Sequence, residues 1–242
     1  MLQAIVNGKA GRLPASDDTI SWRTVFRMSE DLLTASVFGR LAYLDGSILW
    51  RVLRRSFGPP LPDFRVAELE GITFWPTWDE GGEANGTVEP DVFLDFKLGD
   101  PAISLRLIVE AKFGSYPAQY AEQWVRQWTA YHESNGDDGN RVFLAAIGGL
   151  GKNVEETVEK IVGKVTALGH DIEVVAAGWD RLLDALEEER NGPADRATTR
   201  IIDDIVTALG LASYQHLRLL GDMPYRPRPW NPTASASLRN FK

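Results

Sequence analysis

The residues best suited to chemistry lie between Glu89 and Gly114, in the run EPDVFLDFKLGDPAISLRLIVEAKFG. Asp91 opens one apolar run and Glu110-Ala111-Lys112 closes the next, with 18 residues between Asp91 and Glu110. In an extended strand, residues two apart share a face. Glu110 and Lys112 therefore lie on one face above Ile108, while Leu107, Val109 and Ala111 face the other way. If the two runs pair as a hairpin-like unit, two carboxylates and one ammonium meet on a single patch. Carboxylate oxygens are hard ligands suited to a divalent cation such as Mg²⁺, and a neighbouring ammonium can orient a water or neutralise developing charge. That is the equipment of metal-dependent phosphodiester hydrolysis. A Pro-Asp pair and an ExK triplet are common by themselves. Their position at the end of the most apolar strand is not, because a buried strand seldom ends on Glu and Lys without partners.

Two further groups bear on this patch. In AQYAEQWVRQWTAYHES, Gln123, Gln127 and Tyr131 recur every four residues and so form one stripe of a helix, beside a packing face made by Trp124 and Trp128. The stripe is read either as a set of substrate- or water-binding groups or as an ordinary polar face. Upstream, Glu30 stands three, seven and eleven residues before Leu33, Val37 and Leu41, which directs it toward the core side of its helix. Asp31 aligns instead with Ala35 and Phe38 and is the weaker candidate. An acid in a first helical turn is also favoured by the helix dipole alone.

The elements that must hold these groups are legible from periodicity and punctuation. Leu2 to Asn7 reads as a short strand. Ser29 is an N-cap for an amphipathic helix carrying Leu33, Val37, Leu41 and Leu44, and Asp45-Gly46 separates it from a second helix, SILWRVLRRSFG. Strands follow at Ile72 to Trp78, Val88 to Phe96 and Ile103 to Lys112. A helix then runs from about Ala118 to Ser134, a strand from Val142 to Ile147, a helix from Asn153 to Leu168, and a strand from Ile172 to Ala177. WDRLLDALEEER and a helix from about Asp195 to Leu211 complete the pattern. This order predicts a mixed α/β sandwich, and LRLIVEA, apolar on both faces, suits a central strand covered by helices on both sides.

Taken together, Glu30, Pro90-Asp91, Glu110-Ala111-Lys112 and the Gln127-x-x-x-Tyr131 helix resemble the PD-(D/E)xK nuclease superfamily. The helix resembles that of the RecB-type exonuclease branch. The resemblance covers about residues 29–147 and implies a restriction-endonuclease-like three-layer α/β/α sandwich around a mixed sheet. Residues 148–222 are then an appended strand and helices within one domain spanning 1–222, followed by a Pro-rich basic tail at 223–242. It further implies that Asp91, Glu110, the Ala111 carbonyl and Glu30 hold Mg²⁺ or Mn²⁺. Lys112 would orient water or stabilise the transition state, and Gln127 and Tyr131 would position water or the nucleic-acid backbone. The substrate it implies is DNA before RNA, and the superfamily's habits suggest phage defence or mobile-element biology. A homodimer is expected where two strands must be cut.

Composition narrows the classes. The 242 residues include no cysteine, which removes disulfides, thiolate metal sites and a Cys nucleophile, as well as the four-Cys cluster of some relatives in that branch. No apolar run has the length of a membrane span and the N-terminus lacks the apolar centre of a secretory signal, so a cytoplasmic protein without membrane contact is expected. His132, His170 and His216 have no metal-ligand spacing. There is no GxSxG elbow, HExxH or Walker-type loop, and GGLGKN at 148–153 reads as a strand-to-helix turn. The formal charge of −8 is the wrong sign for a strong phosphate footprint, although Arg51 to Arg55 and the tail from Arg226 are locally basic. A catalytically inactive protein that keeps the nuclease fold as a binding or scaffold element is therefore the rival reading.

Overall fold

The computed structural model describes residues 2–14, 18–80, 86–114, 116–136 and 139–216; the basic tail at 223–242 lies outside them. The chain begins with helix α1 (Leu2–Val6), the strand pair β1 (Arg12–Pro14) and β2 (Thr19–Ser21), and helices α2 (Trp22–Met28), α3 (Glu30–Leu41) and α4 (Gly46–Phe57). Strands β3 (Ala67–Phe74), β4 (Trp78–Asp79), β5 (Thr87–Val88), β6 (Val92–Leu98) and β7 (Ile103–Ala111) follow. Helix α5 (Ala121–Asn135), strand β8 (Arg141–Ile147), helix α6 (Val154–Ala167), strand β9 (Val174–Ala177) and helices α7 (Trp179–Asn191) and α8 (Arg196–Leu211) end the described chain. This is an α/β protein with eight helices among the described residues and a five-stranded mixed central sheet.

The sheet order is β3-β6-β7-β8-β9. β6 runs antiparallel to its neighbours β3 and β7, while β7, β8 and β9 run parallel. The change of direction follows from the connections. A short turn joins β6 to β7, whereas α5 and α6 carry the chain back between the parallel strands. Side chains alternate across the sheet accordingly. Leu107, Val109 and Ala111 of β7 and Phe143, Ala145 and Ile147 of β8 enter one core with α3, α4, α7 and α8. Leu144 and Ala146 face the other way and meet Ala121 and Trp124 of α5 and Ile161 and Val165 of α6. Leu105 and Leu107 to Val109 are fully buried, as a central strand under two helical layers requires.

Local chemistry fixes the helix starts. Ser29 caps α3 by accepting from Leu32 N–H, and Asp45, Asn153 and Asp195 cap α4, α6 and α8 in the same way. β9 extends the sheet edge, and α7 and α8 pack against α4 and α3, so residues beyond 147 share the main core. Arg51 and Arg55 of α4 bind the buried Glu189 of α7, with Arg51 Nη2 at 2.6 Å and Arg55 Nη1 at 3.2 Å, and Arg54 pairs with Asp63 at 3.5 Å. The basic run RVLRR thus ties helices together.

Three local expectations are corrected. Leu2 to Asn7 is not a strand: α1 occupies it, because Leu2 and Ile5, three apart, both turn into the core. The run from Val88 is broken between β5 and β6 at Pro90, which has no N–H to give a ladder. β3 starts at Ala67 and stops at Phe74, where Trp75 takes φ of 50° and its N–H donates to Asp91 O at 3.1 Å.

Candidate active site

The acidic cluster forms at the carboxyl ends of the parallel strands, the edge of an open α/β sheet where crevices arise. β6 and β7 pair with Val92 opposite Val109, so the next step along the ladder sets Asp91 across from Glu110. The hairpin-like pairing that would join the two acids is therefore the one present. Ala111 N–H donates to Asp91 Oδ2 at 2.8 Å. Lys112 Nζ forms an ion pair with Glu110 and reaches Glu30 Oε1 at 3.3 Å. Glu30, at the start of α3, also accepts from Phe113 N–H through Oε2 at 2.5 Å.

Helix α5 closes the other side. Gln123 Nε2 donates to Glu110 Oε1 at 2.7 Å and Gln127 Nε2 to Glu110 Oε2 at 2.5 Å, so two successive turns of one helix face hold both carboxylate oxygens. Gln119 lies just before α5 and donates to the main-chain oxygens of Glu110 and Gly148, each at 3.2 Å. Trp124 Nε1 in turn donates to Gln119 Oε1 at 2.9 Å, which fixes that amide.

Tyr131 is not brought to this cluster. It is one turn beyond Gln127, and α5 carries it down the sheet to Ile108 and Val142, where it is fully buried and its hydroxyl accepts from Arg106 Nη1 at 2.7 Å. Arg106 also binds Asp95 Oδ2 at 3.2 Å. Four helical residues advance about 6 Å along an axis, enough to leave the acids for the core. Glu30, Asp91, Glu110, Lys112 and Gln127 are brought together; Tyr131 serves the packing of α5.

Other contributors had no local signal. Trp179 Nε1 donates to Lys112 O at 2.9 Å, and Tyr214 OH accepts from Gly114 N–H at 3.0 Å. Tyr214 also packs its ring against Phe113 and Trp179. Both come from the region after residue 147, for which no role was expected. The turn after β8 fits against the same strand end. A Cβ on Gly148 would stand 2.1 Å from Lys112 O, and one on Gly149 would stand 2.4 Å from Lys112 Cβ. The Gly-rich run at 148–153 therefore permits close approach of backbone to Lys112.

Electrostatics mark Asp91 as the frustrated member. Burial, then the charge of Glu110, pushes its carboxyl from the ordinary 3.8 up to about 7, against the opposing pull of the Ala111 N–H and Lys112. Burial is also the largest influence on Lys112 and draws it down, but Glu110, Glu30 and Asp91 outweigh it and leave the ammonium raised. Lys112 is thus charged and holds the acids together. Burial raises the Tyr214 hydroxyl, with Asp180 and Glu30 adding to the effect.

The donor set fits a hard divalent cation. Asp91 and Glu110 are buried carboxylates at the ends of adjacent strands, and burial followed by the charge of Glu110 leaves Asp91 partly protonated near neutrality, a conflict that a cation relieves. Gln127 Oε1 is a buried carbonyl oxygen with no hydrogen-bond partner. Among the described residues no group of three or more His, Cys, Asp or Glu converges as a ready-made metal cage. Glu30 is instead engaged by Lys112 and the Phe113 N–H. Mg²⁺ does not need such a cage, since it ordinarily takes one or two carboxylates and keeps its waters.

The chain is similar, at 28% identity over 218 residues, to an uncharacterized protein of Pasteurella multocida; the match spans 85% of this chain and 77% of that one. No protein-family model matches the sequence. No solved structure matches the fold. Among the described residues no helix is long and apolar enough to cross a membrane.

Proposed function

We propose that this protein is a metal-dependent nuclease, using Mg²⁺ or Mn²⁺ to hydrolyse phosphodiester bonds of DNA on a restriction-endonuclease-like α/β/α sandwich. One observation carries the reading: Asp91 and Glu110 sit opposite each other at the ends of adjacent strands, with the Lys112 ammonium on the same face as Glu110. Asp91 and Glu110 are the residues that would hold the ion, with the Ala111 carbonyl beside them. A bound divalent ion supplies a water of lowered pKa and a Lewis acid for the scissile phosphate. The protein's own groups do the rest. Gln123 and Gln127 hold both oxygens of Glu110, which keeps that carboxylate oriented. Lys112 carries a positive charge on the face where negative charge develops in phosphoryl transfer, and Glu30 sets the position of its ammonium. Trp179 anchors the Lys112 main chain.

The test is cleavage of supercoiled, linear and single-stranded DNA and of RNA by the purified protein in Mg²⁺, Mn²⁺ or EDTA, alongside Asp91→Ala and Lys112→Ala. Metal-dependent cleavage of DNA, lost in both variants, is expected. Full activity of Asp91→Ala in Mg²⁺ sinks the assignment. The rival is a binding or scaffold protein on the same fold. It is favoured by the Lys112 ammonium, which already neutralises Glu110 and Glu30, and by the net charge of −8. A scaffold with a purely structural cluster gains no thermal stability from Mg²⁺, whereas a nuclease site does.

A further inference from the structure

A cleft of about 460 Å³ opens beside the acidic cluster, between the β5 end and the first two turns of α5. Its wall includes Thr87, Glu89, Tyr120, Glu122, Gln123 and Gln127. The two glutamines are the ones that hold Glu110, so they line the cleft and bound the cluster alike. Gln127 is 2% exposed and its Oε1 has no partner, an acceptor left unsatisfied next to the cleft. A buried carbonyl without a donor costs stability unless a ligand or water supplies one.

The polar character of the cleft is that of an acceptor. Glu89 and Glu122 are exposed carboxylates, Thr87 adds a hydroxyl, and the one cation of the wall among the described residues, Arg126, is paired with Glu80. Such a wall repels phosphate and accepts hydrogen bonds from a ligand rich in N–H groups. Tyr120, immediately before α5, is 59% exposed and makes no ring contact among the described residues, which leaves its face open for stacking. The volume lies within the ordinary range for small-ligand sites.

We propose that this cleft is a nucleobase subsite that takes an unpaired base bearing an exocyclic amino group, adenine, cytosine or guanine and not thymine, from the nucleotide next to the phosphate at the acidic cluster. The inference rests on the nuclease reading and sharpens it. The base stacks on Tyr120 and donates its amino hydrogens to the Gln127 Oε1 and carboxylate acceptors, the pairing by which an acid reads the cytosine amino group. Stacking on an aromatic ring requires a base out of the duplex. The substrate is therefore single-stranded DNA or a frayed end. This accounts for a nuclease of net charge −8: binding energy comes from stacking and base edges more than from phosphate neutralisation.

The test is fluorescence anisotropy of the full chain with labelled oligo-dA, oligo-dC and oligo-dT in EDTA. Thymine has no amino group, so oligo-dA and oligo-dC bind about tenfold tighter than oligo-dT. Tyr120→Ala weakens all three by about tenfold, the size of a lost base–aromatic stack. The double variant Glu89→Ala, Glu122→Ala, which removes both carboxylate acceptors, erases most of the preference for amino bases. Both sets of changes lie on exposed side chains, so the fold tolerates them. Equal affinity for the three oligonucleotides, no binding of any, unchanged affinity in Tyr120→Ala, or a preference that survives in full in the Glu89, Glu122 double variant overturns the subsite. Mg²⁺-dependent cleavage of mixed-sequence DNA, measured in parallel, separates the two ideas. Cleavage without base preference removes the subsite and leaves the nuclease. Base preference with no cleavage under any metal removes the nuclease and leaves a base-reading site.

Discussion

Replacing Asp91 by Asn tests the electrostatic reasoning directly, because the same residue is expected to lower stability and to enable activity. Its carboxyl is held at about 7 in the folded chain, against an ordinary value of 3.8. Between those values the native state binds a proton that the unfolded state has released. Stability therefore falls as pH rises from about 4 to about 7 and levels off above. With 1.36 kcal/mol for each pH unit, the full cost of an ionised Asp91 is on the order of 4 kcal/mol at pH 8. Screening at the solvent-facing edge and relaxation of the site reduce this to about 2–4 kcal/mol. Asn keeps the shape and an oxygen for the Ala111 N–H, but cannot ionise. In metal-free buffer at pH 8, Asp91→Asn should be more stable than the native chain by that amount, or roughly 5–10 °C in Tm. The gain should shrink below about 1 kcal/mol at pH 4. Millimolar Mg²⁺ should raise the Tm of the native protein and not of the variant, which is catalytically dead. Urea unfolding across pH with and without Mg²⁺ reads all of this. A variant no more stable than the native chain at pH 8 in EDTA refutes the argument.

Other perturbations probe the supporting contacts. Lys112→Met removes the only cation among the described residues that bonds Glu110 and Glu30, and should cut DNA cleavage by at least about 10²-fold while lowering stability at pH 8, both read by kinetics and thermal melts. Trp179→Phe keeps the ring but not the hydrogen bond to Lys112 O; a loss of about 1 kcal/mol in urea unfolding and a drop in kcat without a change in KM are expected. Gly149→Ala places a methyl against Lys112 Cβ at a backbone of φ 60°, and should cost about 1–3 kcal/mol in urea unfolding. Glu189→Ala should cost about 1–3 kcal/mol at pH 7 by leaving Arg51 and Arg55 without their shared partner. The hydrogen bond from Arg51 holds the Glu189 carboxyl below its ordinary range, so its contribution is present above about pH 5 and fades as pH falls through the lowered value, which acid titration of unfolding will show.

What the sequence determined by itself was whatever depends on near neighbours along the chain. The caps at Ser29, Asn153 and Asp195 and the apolar stripes of α3 and α6 follow from local hydrogen bonding and a 3.6-residue period. The two-residue alternation of β7 put Glu110 and Lys112 on one face without reference to any other segment. The same logic failed at Leu2 to Asn7, where so short an apolar run fits a strand or a helix equally and only the surrounding core selects α1. It also failed for Tyr131. Helical spacing puts Tyr131 on the same stripe as Gln127, but the path of α5 across the sheet decides which turns meet the acids, and those turns carry Gln123 and Gln127. Trp179, 67 residues from Lys112, and Tyr214, 100 residues from Gly114, carry no local pattern that announces their bonds to the strand end. Tertiary structure alone also decided the state of Asp91. Its place in the sequence is that of an ordinary aspartate before a strand. Only pairing with β7 buries it opposite Glu110, and burial beside a like charge is what holds a proton on it near neutrality.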